Sequence, residues 1–333
     1  MAVIRDMIPP FELFQPTSTE AAVELLDQHG RDAWVMAGGI DSFDWFKDRI
    51  KRPKVVVDLG SIESLKGVRS TENGLEIGAM SPLIDVIRNS EVQAKYKMLA
   101  DAATQAASPQ IRNQGTIGGN VIQDTRCWYY RDGWTCYRAG GNICYADTPT
   151  AMNREHCILG ASRCVAVSPS DTAPVFIALD AKMVVQNSSG ERVFDAEDFF
   201  IGPAIDITRM TVVEPGDVLV GFRLPATWAG AQFYFEKARD RNAWDFPIAN
   251  VASARIENNG AIQDIRLAVG GVAPYPVRLT AVEDAVRGQS ISEETAERAG
   301  EIAIQGVKPL EHNRYKISIM QNLVKRAVRG VQS

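Results

Sequence analysis

All five cysteines of this 333-residue chain, Cys127, Cys136, Cys144, Cys157 and Cys164, fall within one irregular stretch, and none occurs elsewhere. Between residues 124 and 163 neither the period of a helix nor the alternation of a strand is visible. A loop of that size inside a compact domain needs an organiser other than a hydrophobic core. An odd number of crowded thiols argues against a secreted disulfide framework and for a metal site. The spacings C-x8-C-x7-C-x12-C-x6-C lack the C-x2-C knuckle of most zinc sites, which favours an iron–sulfur cluster over zinc as the centre held by four thiolates. Cys157 adjoins the apolar Ile158-Leu159-Gly160 and reads as a packed thiol, leaving Cys127, Cys136, Cys144 and Cys164 as ligands. Arg126, Arg131 and Arg138 lie close enough in sequence to offset the cluster's negative charge. The alternative is a set of redox-inactive cysteines.

The rest of the chain is that of an ordinary globular protein, with 45% hydrophobic and 23% charged residues. Disorder and fibres are excluded, and no apolar run reaches the eighteen residues of a membrane span. The start, MAVIRDMIPPFELFQP, lacks the apolar block of a secretory signal, so the expected compartment is the cytoplasm. A formal charge of -5 without a basic, aromatic-studded run makes nucleic acid an improbable partner.

Strands and helices alternate through the first part of the chain. FELFQP reads as a short strand, and Thr17 with Glu20 forms a capping-box pattern before AAVELLDQHG, which Gly30 terminates. AWVMA, VVVDL at 55–59 and LEIGAM at 75–80 are further strands, followed by helices from Ser81-Pro82 to about Asn89 and from about Tyr96 to Ala107. SPQIRNQGTIGGNVI is too rich in glycine and turn formers for a helix, and its apolar end reads as a strand. DTAPVFIALDAKMVVQ predicts a helix and then a strand, and VFDAEDFFIGP a strand and turn whose Glu197 and Asp198 form a solvated edge. In the final third, DVLVGFRLP, AQFYFEKA, ANVASARIE and AIQDIRLAVGG predict an antiparallel meander, followed by helices near 280–287, 292–305 and 314–329. The spacing places a domain boundary near 215.

Two glycine loops carry candidate chemistry. Ala37-Gly38-Gly39-Ile40-Asp41-Ser42 follows a strand and precedes a helical run, where missing Cβ atoms let backbone approach a ligand and offer N–H groups to an anion. Gly115-Thr116-Ile117-Gly118-Gly119-Asn120 repeats that logic beside a hydroxyl and an amide. Together they suit the two phosphates of a dinucleotide; read singly, each serves equally as a structural turn. Only His29, His156 and His312 are present, too few and too far from these loops for a hydrolytic triad or a His-ligated zinc enzyme.

In order along the chain, AGG after a strand, QIRNQGTIGGN, SPSD at 168–171, DVLVGFRLP and FEKARDR resemble the FAD-binding medium subunit of molybdenum hydroxylases, the flavoprotein relatives of carbon monoxide and xanthine dehydrogenases. The cysteine loop resembles the members with an added 4Fe-4S cluster, as in aldehyde oxidoreductase and 4-hydroxybenzoyl-CoA reductase. The ligand positions after Thr125-Arg126, twice mid-insertion and just before SPSD match Cys127, Cys136, Cys144 and Cys164.

That resemblance implies an α+β chain: a two-part FAD-binding α/β domain of the PCMH type over 1–215, with the iron–sulfur loop at about 124–164, and a smaller antiparallel sheet of three to four strands with helices over 216–333. It implies FAD and a 4Fe-4S cluster as cofactors. Met36, Ala37, Gly38, Gly39, Ile40, Asp41 and Ser42, with Thr116, Ile117, Gly118, Gly119 and Asn120, would cradle the pyrophosphate. Ser108 and Asp171 would contact the cofactor, Leu219 would pack near the flavin and Lys237 would sit close to its rings. With no histidine beside the loops, the FAD is expected to be noncovalent.

The implied partners are a molybdopterin-containing large subunit, where an aldehyde or N-heteroaromatic is oxidised, a 2Fe-2S small subunit, and an external electron acceptor. No catalytic residue is expected on this chain. Co-export with a signal-bearing partner would make the complex periplasmic. The rival functions are a stand-alone flavin oxidase and a non-catalytic metal-stapled scaffold. Trp128, Tyr129, Tyr130 and Trp134 are candidates for packing the cysteine loop or a partner.

Overall fold

Val55, Val56 and Val57 are all buried, yet they serve two cores, because successive residues of a strand point to opposite faces. Val55 and Val57 face Ala22, Val23 and Leu26 of the helix Thr19–His29, while Val56 faces Trp45, Phe46 and Tyr130. This strand, β3 (Val55–Asp58), is the centre of a parallel sheet between β1 (Glu12–Phe14) and β2 (Ala33–Met36). Burial on both faces explains its unbroken apolar run. The cysteine loop therefore covers one face of the first sheet.

The computed structural model describes residues 7–330. The expectation about an export signal rests in part on residues 1–6, and it and the end of the 216–333 region lie to that extent outside the described residues.

A second, antiparallel sheet has the order β4 (Val68–Thr71), β5 (Gly74–Gly78), β8 (Val218–Pro225), β6 (Lys182–Asn187), β7 (Gly190–Asp195). The third is antiparallel in the order β12 (Val277–Arg278), β11 (Ala261–Gly270), β10 (Ala249–Asn258), β9 (Gln232–Ala238). The α+β class and the C-terminal antiparallel sheet with its helices Thr280–Val286, Glu293–Ala303 and Tyr315–Arg329 are as expected. β10 is another strand shared by two cores: Ala252 and Ala254 join β5, β6 and β8, whereas Ala249 and Val251 face the C-terminal helices.

Three expectations are corrected. DVLVGFRLP does not open the meander; as β8 it is the central strand of the second sheet, pairing Phe222 with Ile77 of β5 and with Met183 of β6. The boundary expected near 215 thus falls on the N-terminal side of this strand. SPQIRNQGTIGGNVI is helical, as Pro109–Gln114 and Ile117–Ile122. Ser108 and Thr116 cap these helices, accepting from the N–H of Ile111 and Gly119, and capping outweighs poor glycine propensity over one or two turns. Finally, the first helix is capped by Ser18, which accepts from Ala21 N–H at 3.2 Å, rather than by Thr17.

Candidate functional site

Both glycine loops end on one cavity of about 370 Å³. β2 runs out at Met36, and Gly39, at φ 75°, turns the chain into the helix Ile40–Lys47. That left-handed turn favours glycine. A Cβ on Gly38 would lie 2.1 Å from the Gln114 carbonyl oxygen, and one on Gly118 would lie 2.7 Å from that of Ala79, so the loops pack as bare backbone. Gly38, Gly39, Ile40, Asp41 and Ser42 all line the cavity. No side chain caps this helix, and its first N–H groups have no intrahelical partner by geometry. They are the natural anion donors of the site.

The second loop works differently from the expected set of free donors. Ile117 N–H goes to Ser81 O at 2.9 Å, Gly118 N–H to Ala79 O at 2.8 Å and Gly119 N–H to Thr116 Oγ1 at 3.1 Å. Its contribution is shape and the Asn120 side chain, whose Oδ1 accepts from Ser170 Oγ at 2.9 Å and Thr172 Oγ1 at 2.7 Å. This ties the loop to SPSD and sets Asp171 in the wall.

Asp171 is buried against the cavity and Leu219 lines it. Burial pushes the Asp171 carboxyl up to about 6, with the Lys237 ammonium pulling it only part of the way back. Lys237 itself does not line the cavity. Its Nζ donates to Asp171 Oδ2 at 2.8 Å, Gln105 O at 3.0 Å and Asp245 O at 2.7 Å, which uses all three protons. Met36, Ser108 and Ile117 are likewise absent from the lining: Met36 packs with Trp34 and Phe46, Ser108 is a helix cap, and Ile117 is in the core. Sequence reasoning missed Trp34, Trp45, Met80, Asp124 and Arg126 in the lining. Among these only Asp124 and Arg126 carried a signal, their place directly after the second loop. Trp244 and Phe246, 66% and 38% exposed, stand at the rim, and Trp244 N–H donates to Ala107 O at 2.9 Å. Glycine backbone packed without Cβ atoms, anion donors at one helix start and a long, largely apolar remainder fit a diphosphate-bridged flavin.

Cys127, Cys136, Cys144 and Cys164 line a second, small cavity of about 10 Å³ with Tyr129, Tyr130, Arg138 and Tyr145. Cys157 does not line it and is buried with Ala146 and Val165, a group against which Cys127 and Cys144 also pack. Burial pushes Cys127 up to about 12 and Cys164 up to about 11, and raises Cys144. Backbone N–H groups oppose this: Tyr130 and Tyr129 donate towards Cys127, Val165, Ala146 and Asp147 towards Cys144, and Ala166 towards Cys164. Donors two and three residues beyond a cysteine stabilise its thiolate form. His156 Nε2 lies 3.2 Å from Cys127 Sγ. Of the three arginines, only Arg138 lines this cavity; Arg126 and Arg131 turn to Asp41 instead. Among the described residues, no three His, Cys, Asp or Glu side chains gather closely enough to hold one metal ion. The four thiols instead share the lining of one small space.

Of the loop aromatics, Tyr130 is buried against Trp45, with ring centres 5.3 Å apart. Tyr129, Trp134 and Tyr145 form one ring cluster, while Trp128 is 57% exposed.

The family described as FAD binding domain in molybdopterin dehydrogenase matches residues 9–227, and CO dehydrogenase flavoprotein C-terminal domain matches residues 233–331. The chain is 31% identical over 327 residues to the carbon monoxide dehydrogenase medium chain of Hydrogenophaga pseudoflava, covering 97% of each. It is 32% identical over 274 residues to an aldehyde oxidoreductase FAD-binding subunit of Escherichia coli, covering 81% of this chain and 84% of that one. The solved carbon monoxide dehydrogenase from Hydrogenophaga pseudoflava superposes with a TM-score of 0.78 at 31% identity, covering 97% of this chain and 98% of that one.

Proposed function

Because the chain belongs to the FAD-binding subunits of molybdopterin dehydrogenases, we propose that it is the FAD- and 4Fe-4S-containing electron-transfer subunit of a heterotrimeric molybdenum hydroxylase. Its partners are a molybdopterin large subunit that oxidises an aldehyde or N-heteroaromatic and a 2Fe-2S small subunit that delivers the electrons. A flavin supplies the chemistry that this position needs, since it accepts electrons singly and passes them on singly or in pairs.

The observation that carries the reading is the convergence of both glycine loops, Asp171 and Leu219 on one cavity. The chain's own residues bind and orient. The loop Ala37–Ser42 holds the diphosphate, Asn120 fixes the second loop, Asp171 sets the charge of the wall, and Lys237 acts through Asp171 and Asp245. Trp244 and Phe246 restrict water and acceptors at the rim. For the cluster, Cys127, Cys136, Cys144 and Cys164 are the ligands, supported by their shared cavity and the N–H groups aimed at three of them.

We place the domain division between β8 and β9, at 226–231, and the complex in the cytoplasm. Among the described residues no helix is long and apolar enough to cross a membrane.

The test is quantitation of FAD, iron, sulfide and zinc in the purified complex and in Cys136→Ser and Cys157→Ser variants. The expected result is stoichiometric FAD, with cluster iron on this chain lost in Cys136→Ser and kept in Cys157→Ser. Zinc without flavin overturns the reading.

A further inference from the structure

Between Gln123 and Cys127 the chain is the wall between the two cavities. Asp124 and Arg126 line the larger one, Thr125 and Cys127 the smaller. Side chains that alternate in this way belong to extended backbone a single chain thick. One carboxylate moors this wall to the phosphate loop. Asp41, in the first turn of Ile40–Lys47, accepts at Oδ1 from Arg126 Nη1 at 2.7 Å and Arg131 Nη2 at 2.8 Å, and at Oδ2 from Trp45 Nε1 at 3.1 Å. Arg131 also donates from Nε to Thr125 O at 3.0 Å, and its guanidinium lies 3.4 Å from the centre of a Trp45 ring. The side chains of Asp41 and Arg131 are 27% and 12% exposed, so solvent screens their pairing less than at an open surface.

With both oxygens engaged by protein, and with a charge that repels a diphosphate, Asp41 is poorly suited to contact the cofactor. We infer that Asp41 is a positioning residue that couples the two sites, so that cluster loading at Cys127 and FAD binding at the Ala37–Ser42 loop favour each other. The inference rests on the FAD and 4Fe-4S assignments above.

The physical route is short. A cluster held by Cys127 fixes the arm Thr125–Arg131, hence both guanidinium groups, hence Asp41 and the start of its helix. FAD then meets a loop whose ordering cost has already been met. Thermodynamic linkage makes the effect reciprocal, so bound FAD also slows loss of the cluster.

The experiment measures the dissociation constant of FAD, by flavin fluorescence on the intact complex, with and without the cluster. The cluster is removed by Cys136→Ser or, in the parent complex, by ferricyanide with EDTA, so a misfolded variant does not decide the result. Loss of the cluster is expected to weaken FAD binding about 5-fold or more. In Asp41→Asn, and in Asp41→Ala where it folds, the ratio is expected to fall to about one. Iron release by chelator, followed by absorbance, is expected to slow when FAD is bound in the parent but not in Asp41→Asn. A merely structural Asp41 would weaken both sites and leave the ratio unchanged. FAD and iron both present with independent affinities overturn the coupling alone. A parent complex without iron overturns it together with the cluster assignment, and one without flavin overturns it together with the FAD assignment.

Discussion

Lys237 Nζ stands 2.8 Å from Asp171 Oδ2, with the two side chains 0% and 4% exposed. The same ammonium donates to the carbonyl of Asp245, between the rim residues Trp244 and Phe246. A single buried cation therefore sets both the charge of the cavity wall and the position of its aromatic rim. The family resemblance implies Lys237 close to the flavin rings; in the fold it stands outside the cavity lining, behind Asp171.

Removing that cation is expected to be costly. Lys237→Met leaves a buried carboxylate without its partner, a loss of about 3–5 kcal/mol, to be read from urea unfolding at neutral pH. Asp171→Asn in the same background is expected to recover most of it, because an unpaired amide costs less to bury than an unpaired charge.

The Asp171 carboxyl also predicts a pH dependence. Its pKa is raised by burial from 3.8 to about 6, so the folded state holds the proton more tightly than the unfolded state. Its contribution to stability is present in full below about pH 4 and declines as pH rises through about 6. Thermal unfolding across that window is expected to show this downward component in the parent and to lack it in Asp171→Asn.

Lys316 carries a dependence on the other side of neutrality. Burial lowers its pKa from 10.5 to about 7, although Nζ donates to Glu155 O and Gly271 O, both at 2.8 Å. The folded state releases this proton more readily than the unfolded state. The associated penalty is constant below about pH 7 and shrinks as pH climbs from about 7 towards 10.5. Chemical denaturation between those values is expected to show a rise in stability that Lys316→Met flattens.

Gly38→Ala tests the bare-backbone packing of the phosphate loops. The added Cβ would stand 2.1 Å from the Gln114 carbonyl oxygen, an approach that only backbone movement relieves. A destabilisation of about 1–3 kcal/mol and a lower flavin-to-protein ratio are expected in calorimetry and absorbance. Gly30→Ala is the control for flavin retention: a Cβ there meets nothing within 4 Å, and its φ of 51° is expected to lower stability without changing the flavin-to-protein ratio.

Trp244 holds a left-handed φ of 51° with its indole mostly in solvent. Trp244→Gly relieves the backbone conformation and removes little buried area, so the change in stability is expected to stay within about 0.5 kcal/mol. Flavin fluorescence is expected to become more sensitive to iodide, because the rim no longer covers the cavity mouth. Unchanged quenching would show that the indole does not shield the flavin.

Much of this was legible in residue order. The glycine pairs, the Ser168-Pro169-Ser170-Asp171 segment and the clustered cysteines are local patterns, and the chemistry of bare backbone or buried thiol follows from residue type alone. The absence of Cys157 from the lining shared by the other four thiols also agrees with its apolar neighbours in sequence. The capping of Pro109–Gln114 and Ile117–Ile122 by Ser108 and Thr116 was equally present in the sequence, but glycine content obscured it.

Other features had no local signature. β8 reads like any amphipathic strand, and its insertion between β5 and β6 depends on hydrogen bonds to residues far away in the chain. Asp41 follows a glycine loop, the place of a phosphate-binding residue, yet Arg126 and Arg131 reach it across 85 and 90 residues and engage its carboxylate. Sequence determined which residues offer bare backbone or a thiol, because that is a property of side chains and missing Cβ atoms. Tertiary structure decided which of them face a cavity and which satisfy one another, because a polar group buried by folding takes the nearest partner that the long-range packing supplies.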